Sequence, residues 1–182
     1  GVIRHIEGNR FSLGEPNGES SERLKILSDL FIKGGLKAPQ KKKLRDEIWI
    51  KLWGNCTFNP ISALTGASLD IIGNDPNTRK LIRKMMEECQ KVGEAIGVNF
   101  NVSIENRING AASIKGHKPS TRQDVEMRRP LEIDPIMSAI IEIGNKLEIE
   151  IPTLKHINAI LKLKADYLNL YKRNELIEKL TI

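Results

Sequence analysis

The sequence predicts a mainly α-helical protein that is preceded by a short segment of α/β character. From Leu44 onward, apolar residues recur three and four positions apart, which is the period of an amphipathic helix. Two Asp-Pro pairs, beginning at Asp75 and Asp134, have the form of a helix cap followed by proline at the first helical position. In residues 1–43, by contrast, short alternating stretches are separated by glycine, proline and asparagine.

The first 43 residues predict a β-hairpin and a helix. The stretch GVIRHIEGNRFSLGE indicates a strand, a Gly-Asn turn and a second strand. A helix follows, with Ser20 or Ser21 as its cap and Gly34 and Gly35 at its end, and LKAP is consistent with one more short strand. The pattern leaves two interpretations open: the tail of an α/β sheet whose other strands are absent, or a small β-decoration on a helical domain.

Residues 44–182 predict a separate helical domain. Its first helix runs from about Leu44 to Phe58, and Pro60 is expected to kink or break it because the residue before a proline avoids helical angles. Ser120 has the spacing of a capping box to Gln123 and therefore predicts another helix start. Apolar periodicity and start signals place the remaining helices at about 61–69, 76–97, 101–116, 120–127, 135–147 and from 152 into a charged tail.

Composition excludes several function classes. The net charge of +6 is spread among interleaved acidic residues, and aromatic residues make up only 4%, too few for a base-stacking platform. We therefore expect no nucleic-acid partner, and we interpret the positive charge as a solvated basic surface or as attraction of an anionic small molecule. No apolar run approaches a membrane span, and no secretory leader is visible. The two cysteines lack metal-type spacing, which predicts a reduced, cytoplasmic protein.

A line of polar side chains crosses the apolar stretch KLWGNCTFNP. Lys51, Asn55 and Asn59 recur every four residues, so they share one face of a helix. The other faces are apolar, which predicts a helix buried nearly all round. Because a buried lysine is rare, the line should face a wet cleft, where the lysine transfers a proton and the carboxamides hold ligand oxygens. The structural alternative is a lysine that reaches the surface and asparagines that satisfy loop backbone.

A second polar stretch, KPSTRQDVEMRRPLEID, lies about seventy residues further on. Ser120, Asp124, Glu132 and Asp134 are all plausible helix caps, and Ser120 and Asp134 fit that role best. Glu132 fits it less well, because it lies in a turn between two predicted helices. If this turn folds over the polar line, the carboxylate of Glu132 meets the ammonium of Lys51.

These two stretches resemble the ketopantoate reductase family (2-dehydropantoate 2-reductases). IWIKLWGNCTFNPISALTG is similar to the K-L-x-x-N-x-x-x-N-P opening of that family's C-terminal domain, and KPSTRQDVEMRRPLEID is similar to its S-x-x-Q-D-x-x-x-x-R-x-x-E-I-D signature. GVIRHIEGNRFSLGE resembles the last hairpin of the family's N-terminal domain, and the resemblance extends to about Arg173.

The resemblance implies a Rossmann-type NADPH-binding domain followed by an all-helical domain of the 6-phosphogluconate dehydrogenase C-terminal type. Residues 1–43 would be the end of the first domain, and residues 44–182 would be the substrate-binding and catalytic domain. The implied reaction is reduction of an anionic 2-oxo acid, 2-dehydropantoate (ketopantoate), to pantoate in pantothenate biosynthesis. Pairing into a homodimer would suit such a helical domain.

The resemblance also implies a role for each site residue. Lys51 matches the catalytic lysine, which acts as the general acid. Asn55 and Asn59 match the substrate-binding asparagines, and Ser120 matches the serine that holds the substrate carboxylate. Glu132 matches the active-site glutamate; it would keep Lys51 charged and oriented, and it is also a possible cofactor contact.

The chain departs from the family pattern in two ways. The dinucleotide fingerprint G-x-G-x-x-G is absent from the sequence, which suggests the C-terminal part of a longer enzyme. Leu69 and His117 stand where some family members have substrate-contacting asparagines, so a different 2-oxo acid is an open alternative. A truncated, non-enzymatic helical module for dimerisation or binding is the other alternative.

Overall fold

The computed structural model describes residues 1–2, 4–5 and 8–181. The chain forms two compact units, Gly1–Ile48 and Trp49–Ile182. The predicted mainly α-helical fold is confirmed, since ten α-helices and one π-helical turn account for the regular structure of the described residues.

The first unit is organised around helix α1, Glu22–Lys33. Ser21, one of the two predicted caps, accepts a hydrogen bond from the Leu24 amide at 3.1 Å. The helix ends at Gly34, and Gly35 follows with φ of +85°, a conformation that glycine adopts without steric cost. The predicted start and end of this helix are therefore confirmed.

Two short backbone segments on either side of α1 pair in parallel. Bridges join Arg10 to Lys37 and Leu13 to Gln40, and the Leu13 amide donates to the Pro39 carbonyl at 3.0 Å. Parallel pairing requires a crossover connection, and α1 supplies it. The segment LKAP is thus extended, as predicted.

The predicted hairpin does not occur among the described pairings. Its second strand contributes the bridges of Arg10 and Leu13, and those bridges run to the segment after α1 rather than to the residues before the Gly-Asn turn. The first predicted strand contains residues 3, 6 and 7, which lie outside the described residues.

The second unit is a helical assembly built around a long helix, α5. Its cap is Asp75, whose side chain accepts from the amides of Asn77 and Thr78, and Pro76 occupies the first helical position, as the Asp-Pro pair predicts. In the described chain the helices after α1 are α2 (Leu44–Asn55), α3 (Phe58–Thr65), α4 (Leu69–Asn74), α5 (Pro76–Ala95), α6 (Ile104–Ala112), α7 (Ser120–Glu126), α8 (Ala139–Lys146), α9 (Pro152–Tyr167) and α10 (Glu175–Thr181), with a π-helical turn at Asp134–Ser138.

The core of this unit lies along the apolar face of α5. Trp53 is fully buried and its indole N–H donates to the Met86 carbonyl at 2.7 Å, which fixes α2 against α5. Close approach at Gly93 matters here, because a Cβ at this position would lie 2.8 Å from the ring of Phe100. Other fully buried members of the core are Ile82, Met85, Cys89, Val92, Ile108, Ile140, Ile141 and Leu154.

The single helix predicted from Leu44 to Phe58 is broken in the structure. Helix α2 ends at Asn55 and α3 begins at Phe58, so the break lies before the position that the proline suggested. Pro60 is the third residue of α3, where a missing amide hydrogen leaves no helical hydrogen bond unmade. The polar line is consequently divided between two helices.

A buried carboxylate, Glu88, connects α5 to the start of α9. Its side chain is 1% exposed and accepts from the Thr153 amide at 3.1 Å and the Leu154 amide at 2.9 Å. These amides belong to the first turn of α9 and have no partner within that helix. A negative charge at a helix N-terminus is also favoured by the helix dipole.

We expect Glu88→Gln to lower the free energy of unfolding by about 1–3 kcal/mol, because one amide of α9 would then face a carboxamide N–H instead of an acceptor. Denaturant melts monitored by circular dichroism measure this change. The matched control is Glu87→Gln on the same helix, since Glu87 is half-buried and forms no hydrogen bond among the described residues. Equal stability of the two variants would contradict the assigned role of Glu88.

Candidate functional site

Lys51 and Asn55 lie on α2, and Lys51 is exposed while Asn55 is half-buried. In the part of the chain that the structure describes, the Lys51 ammonium has neither an ion-pair nor a hydrogen-bond partner. It is therefore a cation that is open to solvent and to a ligand. Lys51 and Asn55 are one helical turn apart, so both can contact the same small molecule.

The prediction that α2 is buried nearly all round is wrong. Ile48 is 55% exposed, and the buried residues of this helix are Trp49, Trp53 and Gly54. Within the second unit, α2 also carries the exposed Lys51 and the half-buried Leu52 and Asn55. Lys51 therefore does not carry the desolvation cost that the sequence pattern suggested.

Asn59 and Ser120 meet across the interface between α3 and α7. Asn59 is 7% exposed, and its Nδ2 donates to the Ser120 Oγ at 3.3 Å. The contact joins the two sequence motifs, although they lie sixty-one residues apart. A polar ligand at this point meets a carboxamide and a hydroxyl together, and both groups form hydrogen bonds without adding charge.

The predicted capping box at Ser120 is wrong. Pro119 occupies the cap position of α7, and no side chain caps this helix. Ser120 is instead the first helical residue, and its Oγ accepts from the Nδ2 of Asn59, while Gln123 donates its Nε2 to the Lys118 carbonyl at 2.8 Å. Because Ser120 is exposed, its hydroxyl is available for contact with a ligand.

Glu132 lies two residues before the start of the π-helical turn and is exposed. It caps no helix among the described residues, so the capping interpretation of this carboxylate finds no support. It also forms no ion pair with Lys51 in the described part of the chain. Its predicted electrostatic effect on Lys51 stays a prediction.

Asp134 is not a helix cap, contrary to the prediction. Ile133 takes that position, and the Asp134 carboxylate accepts from the Ser138 hydroxyl at 2.8 Å and from the Tyr171 hydroxyl at 2.9 Å. The Lys162 ammonium, only 4% exposed, lies 3.8 Å from Asp134. This tertiary network, rather than a local cap, fixes the chain two residues after Glu132.

A second carboxylate completes the network around Lys162. Glu178 of α10 accepts from the Lys162 ammonium at 2.5 Å, and the same ammonium lies 5.7 Å from the centre of the Tyr171 ring. A buried ammonium is tolerated when it is paired in this way. The C-terminal helix therefore takes part in holding the turn that carries Glu132.

We expect Tyr171 to ionise above the usual pH range of a tyrosine. Burial, followed by the hydrogen bond to Asp134, raises the pKa of the Tyr171 phenol above its usual value of about 10. A raised pKa in the folded state means that this stabilisation is complete below a pH of about 10 and is lost as the pH rises further.

Alkaline titration of phenolate absorbance tests this expectation, since the sequence contains only one other tyrosine, Tyr167. Tyr171→Phe should remove a titration step that lies above the usual value of about 10. Loss of a step at or below that value in this variant would contradict the raised pKa of Tyr171.

Sequence reasoning missed Arg107, on α6. Its guanidinium lies against α2, with Nη2 2.7 Å from the position that a Cβ would occupy at Gly54. The Nε atom is buried and has no hydrogen-bond partner in the described structure, and burial lowers the pKa of Arg107. The glycine itself was the available signal, because a glycine between bulky residues in a helix often marks the close approach of another group.

The two positions that depart from the family pattern lie together. The Leu69 amide donates to the His117 carbonyl at 3.1 Å, which places the start of α4 beside the segment that leads into α7. Leu69 is half-buried and His117 is exposed. The influence of these two residues on substrate choice stays a prediction.

Both cysteines are free and buried, and burial raises the pKa of the Cys56 thiol well above its usual value. Among the residues described, no cluster of three or more histidine, cysteine or acidic side chains could hold a metal ion. The described helices include none with the length and apolar character needed to cross a membrane.

Residues 43–165 match the protein family described as ketopantoate reductase PanE/ApbA C terminal. A curated relative from Mesorhizobium japonicum, 2-dehydropantoate 2-reductase, is 49% identical over 162 residues, which make up 89% of this chain and 50% of the relative. This chain spans about half the length of the curated relatives that it matches.

Solved structures also match this chain. The structure of 2-dehydropantoate 2-reductase from Methylococcus capsulatus matches with a TM-score of 0.81 and 26% identity, over 94% of this chain and 55% of that one. D-mandelate dehydrogenase with NADH and anilino(oxo)acetate also matches with a TM-score of 0.81, over 92% of this chain and 70% of that one. At 22% identity, this match shows a shared fold alone.

Proposed function

The chain belongs to the ketopantoate reductase family, as its two motifs predict, and from this premise we propose that it is the substrate-binding and catalytic half of a nicotinamide-dependent 2-oxo acid reductase. The observation that carries the proposal is the hydrogen bond between Asn59 and Ser120, which joins the two motifs in three dimensions. The ammonium of Lys51, which is exposed and has no partner among the described residues, supports the same interpretation.

Lys51 is the proposed proton donor. When the carbonyl carbon of the 2-oxo acid accepts a hydride, the C=O π electrons move to oxygen and an alkoxide develops. An ammonium at that oxygen stabilises charge that is larger in the transition state than in the ground state. Transfer of one proton from the Lys51 Nζ to the oxygen then completes the 2-hydroxy acid.

Asn55, Asn59 and Ser120 are the proposed orienting groups. Carboxamides and a hydroxyl donate hydrogen bonds to carboxylate and hydroxyl oxygens without changing the charge of the site. Holding the substrate in one orientation lowers the entropic part of the barrier. Glu132 is proposed to stabilise the charged form of Lys51 once the ligand-bound site is assembled.

The nicotinamide dinucleotide supplies the hydride when it is bound. This chain contains no G-x-G-x-x-G loop, so its own residues do not provide the usual cradle for the pyrophosphate. We propose that the family's dinucleotide-binding domain provides that cradle and that residues 1–43 are the end of this domain. NADPH is the proposed form, and the D-mandelate dehydrogenase of similar fold was solved with NADH.

The proposal is tested by assaying the full-length protein with NADPH or NADH and a panel of 2-oxo acids that includes ketopantoate. We expect oxidation of the dinucleotide with at least one 2-oxo acid, and no turnover by the present chain alone. Failure of the full-length protein to reduce any member of the panel would favour a non-enzymatic binding module. A preference for an acid other than ketopantoate would support the proposed reaction type and identify a different substrate.

A homodimer is proposed as the assembly. Ile160, Leu163 and Tyr167 lie three and four residues apart on α9 and are 52%, 63% and 84% exposed, which forms an apolar stripe on this helix. A second copy of the chain would bury such a stripe. The predicted cytoplasmic location likewise stays a prediction.

A further inference from the structure

The guanidinium of Arg107 is a cation with no counter-charge in the described structure. Its Nε is buried without a partner, and no carboxylate lies within ion-pair distance of the group among the residues described. The acid on the same helix, Glu105, is already engaged by Arg79 and Arg83 of α5. A partly buried charge without a partner is unfavourable, and an anionic ligand would remove that cost.

Arg107 contacts the helix that carries Lys51 and Asn55. The guanidinium contacts the position of Gly54, which is adjacent in the chain to Asn55. Lys51 is three residues before Gly54 and therefore about 60° around the helix from it. Because Arg107 is half-buried rather than fully buried, part of its side chain remains accessible from solvent.

The cationic groups proposed to bind the ligand can accept one carboxylate. Lys51 and Arg107 are both positive, and neither has an ion-pair partner among the described residues. Ser120 and the two asparagines are neutral donors. A 2-oxo acid brings one negative charge, and a guanidinium recognises a carboxylate through two parallel N–H···O hydrogen bonds.

We propose that Arg107 binds the carboxylate of the 2-oxo acid and thereby selects acids over uncharged carbonyl compounds. This inference rests on the proposed function. Gly54 contributes to the same binding site, because the absence of a side chain there allows the guanidinium to lie directly on α2. The Lys51 ammonium is thereby left for the ketone oxygen.

Kinetics of the full-length protein with ketopantoate and with its primary amide test the proposal. Arg107→Gln is expected to raise KM for the acid by roughly 10- to 100-fold, the range for loss of a charged hydrogen bond, and to leave KM for the amide nearly unchanged. Arg107→Lys should restore only part of the preference, since an ammonium lacks the planar fork. Arg83→Gln, which removes a positive charge from the ion pair with Glu105, should retain the preference.

Gly54→Ala tests the same guanidinium by changing the surface of α2 on which it lies. The added methyl would lie 2.7 Å from Nη2 and must displace the guanidinium, so the preference for the acid should fall in this variant also. Gly54→Ala therefore decides the question if Arg107→Gln does not fold. A preference for the acid that survives in a folded Arg107→Gln or Gly54→Ala variant would overturn the proposal.

A binding measurement separates this inference from the proposed reaction. In the present chain, the Nε–H resonance of Arg107 is identified as the signal lost in Arg107→Gln and is followed during titration with ketopantoate. A shift with the acid and none with the amide would support carboxylate binding even if the full-length protein reduced neither compound, an outcome that would refute the proposed function alone. Absence of a shift with the acid would overturn the role of Arg107.

Discussion

Replacing Lys51 by alanine in the full-length protein is expected to lower kcat by roughly 10²- to 10⁴-fold, the usual contribution of a positioned general acid. The alkoxide that forms in the transition state would then have neither the ammonium charge nor its proton. The melting temperature should change little, because Lys51 is exposed and has no partner among the described residues. Steady-state kinetics and thermal melts on the same preparation measure both quantities.

Two further variants test whether the loss of activity is specific to the Lys51 ammonium. Lys51→Arg should not restore full activity, because arginine remains protonated and its planar group places the charge differently. Lys91→Ala, which removes an exposed lysine from α5, is the matched control and should turn over normally. Near-normal kcat in Lys51→Ala would refute the catalytic assignment of this lysine and leave it as an ordinary surface residue.

The helical fold was largely predictable because periodicity and cap signals are local properties of the sequence. The cap-and-proline pair at Asp75, the cap at Ser21 and the start of α2 at Leu44 all occur as predicted. Each of these features depends on residues within about one helical turn of one another. The second strand of the predicted hairpin pairs with the segment after α1, a contact between residues far apart in the chain, and the first strand includes residues outside the described structure.

The errors in the predicted site also arise because local sequence does not show tertiary contacts. Periodicity identified an apolar surface on α2 but did not show whether a neighbouring element covers it. The sequence therefore predicted a buried helix around Lys51, whereas Lys51 is exposed. Asp134 has the sequence of a cap, yet hydrogen bonds from Ser138 and Tyr171 give its carboxylate a different role. Tertiary contacts override local preference in that case.

The convergence of site residues was only partly predictable. The resemblance indicated that Asn59 and Ser120 would act together, and the structure joins them by a hydrogen bond. Arg107 belongs to neither motif and lies fifty-three residues from the glycine that it contacts, so no spacing rule identifies it. Its lack of a counter-charge among the described residues is a property of the tertiary structure, because the acid on the same helix, Glu105, pairs with Arg79 and Arg83.

Replacing Glu132 by glutamine is expected to lower kcat by about 10²-fold, the lower end of the range for loss of one preorganised electrostatic contact. The substitution removes the negative charge and keeps the shape of the side chain. Because Glu132 is exposed and caps no helix among the described residues, thermal stability should be nearly unchanged. Glu150→Gln, at another exposed glutamate of the same unit, is the matched control and should be fully active.

The double variant distinguishes how Glu132 acts. If its carboxylate supports the charged form of Lys51, then Glu132→Gln should have little further effect once Lys51 is alanine, since residues that act as a unit are strongly non-additive. If the two effects instead multiply, Glu132 acts on the substrate or cofactor independently of the lysine. A fall in melting temperature with unchanged kcat per folded molecule would show that Glu132 supports the fold near Asp134 and not the reaction.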